Sequence, residues 1–203
     1  MRIASNHRDL MAAPRTQGFL EVIIGPMYSG KTSRLLTVYK QMRICDVPVL
    51  VVNYVEDVRY SKTMLSTHDK SEIPCVFVDS LCALRSRDKE QSMLAEAQVV
   101  LINEGQFFAD LYQEVHRMVE EEGKQVYVCG LDGDFRRQAF GDLLKLIPLA
   151  DEVIKLRSLC RMCKDGTPAL FSHRVRRDVT EQKLIGTDEY TPLCRKCFKA
   201  LNT

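Results

Sequence analysis

Gly25, Pro26, Met27, Tyr28, Ser29, Gly30, Lys31 and Thr32 form the stretch GPMYSGKT, directly after the apolar run FLEVII, and satisfy the pattern G-x-x-x-x-G-K-[ST]. A loop of that composition turns tightly enough to aim several backbone N–H groups at phosphate oxygens, and the helix N-terminus behind it adds positive potential. In that chemistry Lys31 reaches the β- and γ-phosphates of a nucleotide and the Thr32 hydroxyl ligates Mg²⁺. A glycine-rich strand-to-helix turn can match so short a pattern by chance. The surroundings favour the nucleotide, because SRLLTVYKQMR sets Leu35, Val38, Tyr39 and Met42 at helical spacing immediately after the loop.

A second set of residues has metal-ligand spacing. Cys160 and Cys163, and Cys194 and Cys197, form two C-x-x-C pairs about thirty residues apart, which can close a tetrahedral S₄ shell around Zn²⁺. Redox-active dithiols or two unrelated turns are the competing readings. With four thiolate ligands no position is left for water or substrate, so such a metal holds the fold and does no chemistry. Cys45, Cys75, Cys82 and Cys129 are scattered and read as buried thiols. Thiols used in this way suit a reducing, cytoplasmic compartment.

Acidic residues at strand ends are the candidates for proton transfer, since ligands of parallel α/β sheets sit at the carboxyl ends of the strands. Glu104 follows the strand-like QVVLIN and either serves as a base toward an alcohol nucleophile or simply caps the next helix. Asp132 and Asp134 lie in LDGDF after another strand. Phe107, Phe108, Phe135 and Phe140 gather around the same two loops; for any single one core packing is the stronger reading, but four together favour a pocket where a nucleobase stacks.

The elements that must position these residues alternate strand and helix. FLEVII, VPVLVVNY, CVFVD, QVVLIN and QVYVCG read as strands, with helical stretches between them over DSLCALRSRDKEQSMLAEA and NEGQFFADLYQEVHRMVEEEGK. The latter sets Phe108, Leu111, Val115, Met118 and Val119 on one face and stops at Gly123. EDVRYSKTMLSTHDKSEIP has no period and reads as a loop. The fold class that follows is α/β, a parallel P-loop sheet with helices on both faces, plus a small zinc-binding domain. Residues 1–17 read as a flexible tail, with organelle targeting as the weaker alternative; residues 18–150 form the nucleotide-binding domain and 151–203 the zinc-binding unit. A hydrophobic content of 45% over 203 residues supports one substantial core. The net charge of +2 makes no broad case for nucleic acid or an anionic membrane, and no apolar run approaches the roughly 20 residues that span a bilayer.

Taken in order, GPMYSGKT, YVEDVRYS followed by THD, NEGQFF, LDGDFRRQAFG and the paired cysteines around LIGTDEY resemble the thymidine kinases of the cellular, zinc-containing type, over about residues 18 to 198. The resemblance implies transfer of the γ-phosphate of ATP to the 5′-hydroxyl of thymidine or deoxyuridine in a Mg²⁺-dependent reaction, with Glu104 as general base. It sets Asp57 and Arg59 near the sugar and phosphates, and Met27, Leu131, Phe135 and Phe140 around the thymine ring. The segment between the cysteine pairs resembles the family's lasso loop, whose backbone reads the base edge; Ser172, Leu184, Ile185, Gly186 and Tyr190 match its binding positions. A homotetramer and feedback inhibition by the product triphosphate, dTTP, are further implications.

The chain departs from the family pattern in four places. Asn103 stands where Asp commonly precedes the catalytic Glu, and Ser172 replaces Thr. The lasso is shorter between Ile185 and Tyr190, and its entrance longer around Lys164 to Pro168. Two rival functions remain compatible with the residues alone. One is a nucleotide-dependent nucleic-acid-binding module using the basic run SHRVRRD; the other is a P-loop ATPase whose acceptor is water.

Overall fold

The computed structural model describes residues 17–57, 64–66, 71–176, 181–183, 186 and 189–202. Its centre is a six-stranded parallel sheet. The strands are β1 (Phe19–Ile24), β2 (Val49–Tyr54), β5 (Val76–Val78), β6 (Val99–Ile102), β7 (Gln125–Gly130) and β8 (Glu152–Lys155), in the spatial order β5-β2-β6-β7-β1-β8. Every pairing is parallel. The five expected strands are all present. β8 is an addition: it pairs with β1 from Glu21↔Glu152 to Ile24↔Lys155, so residues assigned from sequence to the zinc unit belong to the nucleotide-binding sheet. EVIK is short, charged at both ends and mostly exposed, as an edge strand is, and lacks the continuous apolar run of the inner strands.

Strand alternation divides the core into two layers. Leu20, Val22 and Ile24 of β1, Leu50 and Val52 of β2 and Val100 and Ile102 of β6 face one side. There they meet α2 (Ala83–Ser86), α3 (Asp88–Glu96) and α4 (Leu111–His116) through Leu84, Leu94, Leu111 and Val115. Ile23, Val51, Leu101 and Tyr127 face the other side, against Leu35, Leu36 and Val38 of α1 (Lys31–Ile44). Leu65 and Ile73, from the antiparallel pair β3 (Met64–Ser66) and β4 (Glu72–Pro74), complete that layer. The polar segment read as a loop therefore carries a small hairpin, whose inward residues are these two.

The two long helical stretches are interrupted. The first breaks into α2 and α3 at Arg87, which is extended at φ −111° and ψ 123°. The second begins with a 3₁₀ turn at Gly105–Phe107, becomes regular only at Leu111, and widens to a π turn over Arg117–Glu121 before Gly123 ends it at φ 63°. The wide turn keeps Met118 and Val119 buried in the face that Val115 begins. Lys124, just beyond, is buried and donates from Nζ to the Leu94 and Ala97 carbonyls, 2.8 Å each, capping the end of α3. Cys45 and Cys82, expected to be buried, are exposed, one after the last turn of α1 and one ahead of α2; Cys129 is buried on β7.

Beyond β8 come cysteine-bearing turns and two short antiparallel pairs. β9 (Ser158–Leu159) pairs with β10 (Pro168–Ala169), and β11 (Phe171–Arg174) with β12 (Tyr190–Leu193), ahead of α5 (Arg195–Leu201). Their core is Cys160, Ala169, Leu193, Cys194 and Phe198.

Phe108 joins the sheet to the segment bearing Glu104: it is fully buried in the first layer and meets the Tyr54 ring edge-on at 5.4 Å. Phe108→Ala is expected to lower the unfolding free energy by about 3–5 kcal/mol, measured by urea denaturation.

Candidate active site

The phosphate loop leaves β1 through Gly25, where a Cβ would lie 2.6 Å from the Leu156 carbonyl oxygen, and enters α1 through Gly30 at φ 85°. Both positions need glycine, one for close approach and one for a left-handed turn. The first turn of α1 carries no acidic residue, so its N-terminal potential is not cancelled locally. Ser29 Oγ is buried with no hydrogen-bond partner, an orphan donor that suits an anion in the loop. Lys31 is buried and donates to the Pro26 carbonyl at 2.8 Å, folded over the loop it would neutralise.

A chain of side-chain hydrogen bonds runs from this loop across the strand ends. Thr32 Oγ1 donates to Asn103 Oδ1 at 3.3 Å, Asn103 Nδ2 to Asn53 Oδ1 at 2.9 Å, and Asn53 Nδ2 to Asp57 Oδ2 at 3.1 Å. β7 lies between β1 and β6, yet the two ends meet above it because β7 finishes in the small residues Cys129 and Gly130. The Cys129 thiol donates to Asn103 Oδ1 at 3.1 Å; its burial, together with the negative charge of Glu104, pushes it up to about 12, so it stays protonated. Asp57 is the carboxylate of this chain and is buried. Arg59, its expected companion, lies outside the described residues.

Glu104 follows Asn103 in the left-handed conformation, φ 54° and ψ 41°, unusual for a residue with a side chain and found where surrounding structure enforces it. Its Oε2 accepts from Gln106 Nε2 at 2.6 Å. Three residues further on, Phe107 enters an aromatic cage. Met27, Leu131, Phe140 and Tyr190 form its buried part, with Tyr28, Phe107 and Phe135 packed against it. Phe107 meets Phe140 edge-on at 5.5 Å. Of the four phenylalanines expected here, Phe108 is the exception and packs in the main core. Asp132 pairs with Lys155 at 2.7 Å, and Asp134 accepts from the backbone N–H groups of Arg136 and Gln138, so these two acids shape the LDGDF loop.

The zinc unit closes the cage from outside. The Met27 backbone N–H donates to Ser172 Oγ at 3.0 Å, tying β11 to the phosphate loop across 145 positions of sequence. Tyr190 contributes its ring. Arg174, in the basic run SHRVRRD, is only 3% exposed. Its guanidinium lies 3.9 Å from the Phe135 ring centroid, donates to Tyr190 Oη at 2.7 Å and reaches the Gln182 carbonyl at 2.9 Å. Burial removes it from any exposed nucleic-acid surface. Lys183 bonds Tyr54 Oη and Glu56, both at 2.8 Å, and its ammonium stays charged to a higher pH than usual: burial opposes the charge but these two partners favour it more strongly. Gln182 donates to Asp134 at 2.9 Å. Gly186 is described within the same segment, while Leu184 and Ile185 lie outside the described residues.

Gln106, Arg174 and Lys183 are the residues that pattern reading passed over. Gln106 was legible only as part of a helix, Arg174 as surface charge, and Lys183 had no signal, because each is defined by partners from distant segments.

The four cysteines assemble as their spacing predicts. Their sulfur atoms all lie within 4.8 Å of one another, with Cys163 at 3.8 Å from Cys194 and 3.5 Å from Cys197. A tetrahedral zinc–thiolate centre with bonds of about 2.3 Å sets its sulfurs about 3.8 Å apart, so the set fits. Four sulfurs this close can all ionise only around a central cation, since bare thiolates at that separation repel one another. Among the described residues no helix is long and apolar enough to cross a membrane.

The sequence profile of the thymidine kinase family matches residues 18–198. The cytosolic thymidine kinase of Cricetulus griseus is 38% identical over 184 residues, 91% of this chain and 74% of that protein. Thymidine kinase a of Arabidopsis thaliana is 37% identical over 91% of this chain and 76% of its own length. The thymidine kinase of Yaba monkey tumor virus is 35% identical over 91% of this chain and 97% of its own.

Elemental analysis of the purified protein is expected to find one zinc per chain, held by the four cysteines, and chelation to lower the melting temperature; protein that melts unchanged without metal would refute the staple. Ser172→Ala leaves the buried Met27 N–H unanswered and is expected to cost about 1–3 kcal/mol in urea denaturation, with Ser172→Thr near the parent.

Proposed function

The chain belongs to the thymidine kinase family, and from that premise we propose that Glu104 is its general base, taking the 5′-hydroxyl proton of thymidine as that oxygen receives the γ-phosphoryl group of ATP. The activity is phosphorylation of thymidine in nucleotide salvage. The observation that carries the assignment is the placement of Glu104: one residue after Asn103, which touches Thr32 of the phosphate loop, and three before Phe107 of the aromatic cage. A carboxylate there lies between the two halves of the substrate pair.

In this reading the thymine ring occupies the cage of Met27, Leu131, Phe135, Phe140 and Tyr190. Ser172 keeps its own hydroxyl hydrogen to offer, since its oxygen accepts from Met27, and the backbone around Leu184, Ile185 and Gly186 reads the base edge. Loop amides of residues 25–32 hold the phosphates, Lys31 leaves Pro26 for the transferring group, and Asp57 with Arg59 flanks the phosphates and sugar. The 5′-oxygen forms its bond to the γ-phosphorus as the bond to the bridging oxygen breaks; the proton passes to Glu104 and the displaced charge to ADP. Thr32 would hold Mg²⁺, whose chemistry is to draw charge from the β- and γ-phosphates. The family resemblance extends the reading to deoxyuridine as acceptor, dTTP as feedback inhibitor, a homotetramer and a cytoplasmic location.

Glu104→Gln is expected to lower kcat for phosphate transfer from ATP to thymidine by about 10²–10⁴-fold while ATP affinity by calorimetry changes little. Transfer near the parent rate would reject the base assignment, and turnover independent of thymidine would favour water as acceptor.

A further inference from the structure

Gln106 is 3% exposed, a polar side chain placed deep at the junction of two strand ends. Its Oε1 accepts from the Leu131 backbone N–H at 3.0 Å. A main-chain N–H can only donate, so this contact settles which end of the amide is oxygen. The Nε2 end must therefore face Glu104, whose Oε2 it meets at 2.6 Å. One amide thus links the chain that walls the aromatic cage, at Leu131, to the carboxylate on the phosphate side.

The surrounding backbone is shaped to the turn that carries this side chain. A Cβ on Gly130 would collide with Gln106 Oε1, and one on Gly141, at φ 57°, with the Gln106 carbonyl oxygen. On Gly105 a Cβ would lie 2.7 Å from Val128 Cγ1, blocking the approach of the Glu104–Gln106 turn to β7. Gly130 thus keeps space for the glutamine side chain, while Gly141 and Gly105 keep space for the turn that carries it. Glu104, in a left-handed backbone conformation that its residue type does not favour, has its carboxylate held by a partner that is itself anchored to main chain at the far end.

We propose that Gln106 is a positioning residue for the transfer reaction: its amide, anchored on the Leu131 N–H, holds the Glu104 carboxylate in line with the acceptor hydroxyl. This rests on the reading of Glu104 as the base. The amide donates to the carboxylate without taking its proton site away, because a carboxylate has a second oxygen and further lone pairs to receive the 5′-hydroxyl hydrogen. Positioning of this kind acts on kcat, since it orders a group already bound, and leaves substrate affinity nearly unchanged.

The test is a double-mutant cycle on the full chain. Gln106→Met keeps the volume and removes both polar ends; Gln106→Asn keeps an amide but is one carbon too short to span from the Leu131 N–H to Glu104. Each is expected to lower kcat with thymidine about 10–100-fold, with KM for thymidine and ATP affinity within about threefold of the parent. In a Glu104→Gln background the same substitutions are expected to change the residual rate less than about threefold, because the group they position is gone. Additive losses in the two backgrounds, a loss confined to KM, or an unchanged kcat would each overturn the proposal. Should Gln106→Met fail to fold, Gln106→Asn completes the cycle with a neutral amide still in place. A Glu104→Gln protein that turns over near the parent rate would refute the base assignment itself; one slowed as expected, but with additive Gln106 effects on its residual rate, would refute the positioning role alone.

Discussion

A single buried donor sets the relation between the two parts of this molecule. The Met27 N–H lies buried in the phosphate loop, and a buried N–H without a partner is costly. Ser172 answers it from β11. That strand is held in turn by β12, which leads directly into Cys194 and so to the four-sulfur cluster. A cation held by those sulfurs would thereby fix a hydroxyl at the other end of the unit, and through it the phosphate loop. The same docking brings Tyr190 into the cage.

Cations complete the docking in a manner the surface charge does not suggest. Arg174 stacks on Phe135 and holds Tyr190, while Arg137 lies 5.0 Å from the Phe198 ring. Guanidinium groups suit this position because they stack on rings with a face and donate in the plane at the same time. Lys183 bridges Tyr54 and Glu56 at the end of β2. The aromatic walls are thus clamped by residues from the segment that covers them, and not merely packed.

At the strand ends the polar groups form a relay of amides, with Asn103 where the family commonly has Asp. Asn103 and Asn53 each both donate and accept, so the buried chain from Thr32 to Asp57 is satisfied with a single negative charge at its far end. An aspartate at 103 would add acceptors but no donor for Asn53 Oδ1. The amide at this position is therefore consistent with its neighbours, including the protonated thiol of Cys129.

Local patterns determined a good part of this protein. The phosphate loop, the strands β1, β2, β5, β6 and β7, the ligand set of four cysteines and the glutamate at the end of β6 were all legible because each is defined by residue types at short, fixed spacing. Even the aromatic cage was legible, though only as a cluster from which Phe108 had yet to be separated. The tertiary structure alone decided the rest. β8 is a strand because β1 offers it an edge, and the break at Arg87 and the turn at Gly105–Phe107 arise where helices must bend to keep their faces on the sheet. Gln106, Arg174 and Ser172 acquire their roles from partners 25, 39 and 145 residues away, Leu131, Phe135 and Met27. Hydrogen bonds and ring contacts of that range leave no period in a sequence; they exist only once the chain has closed.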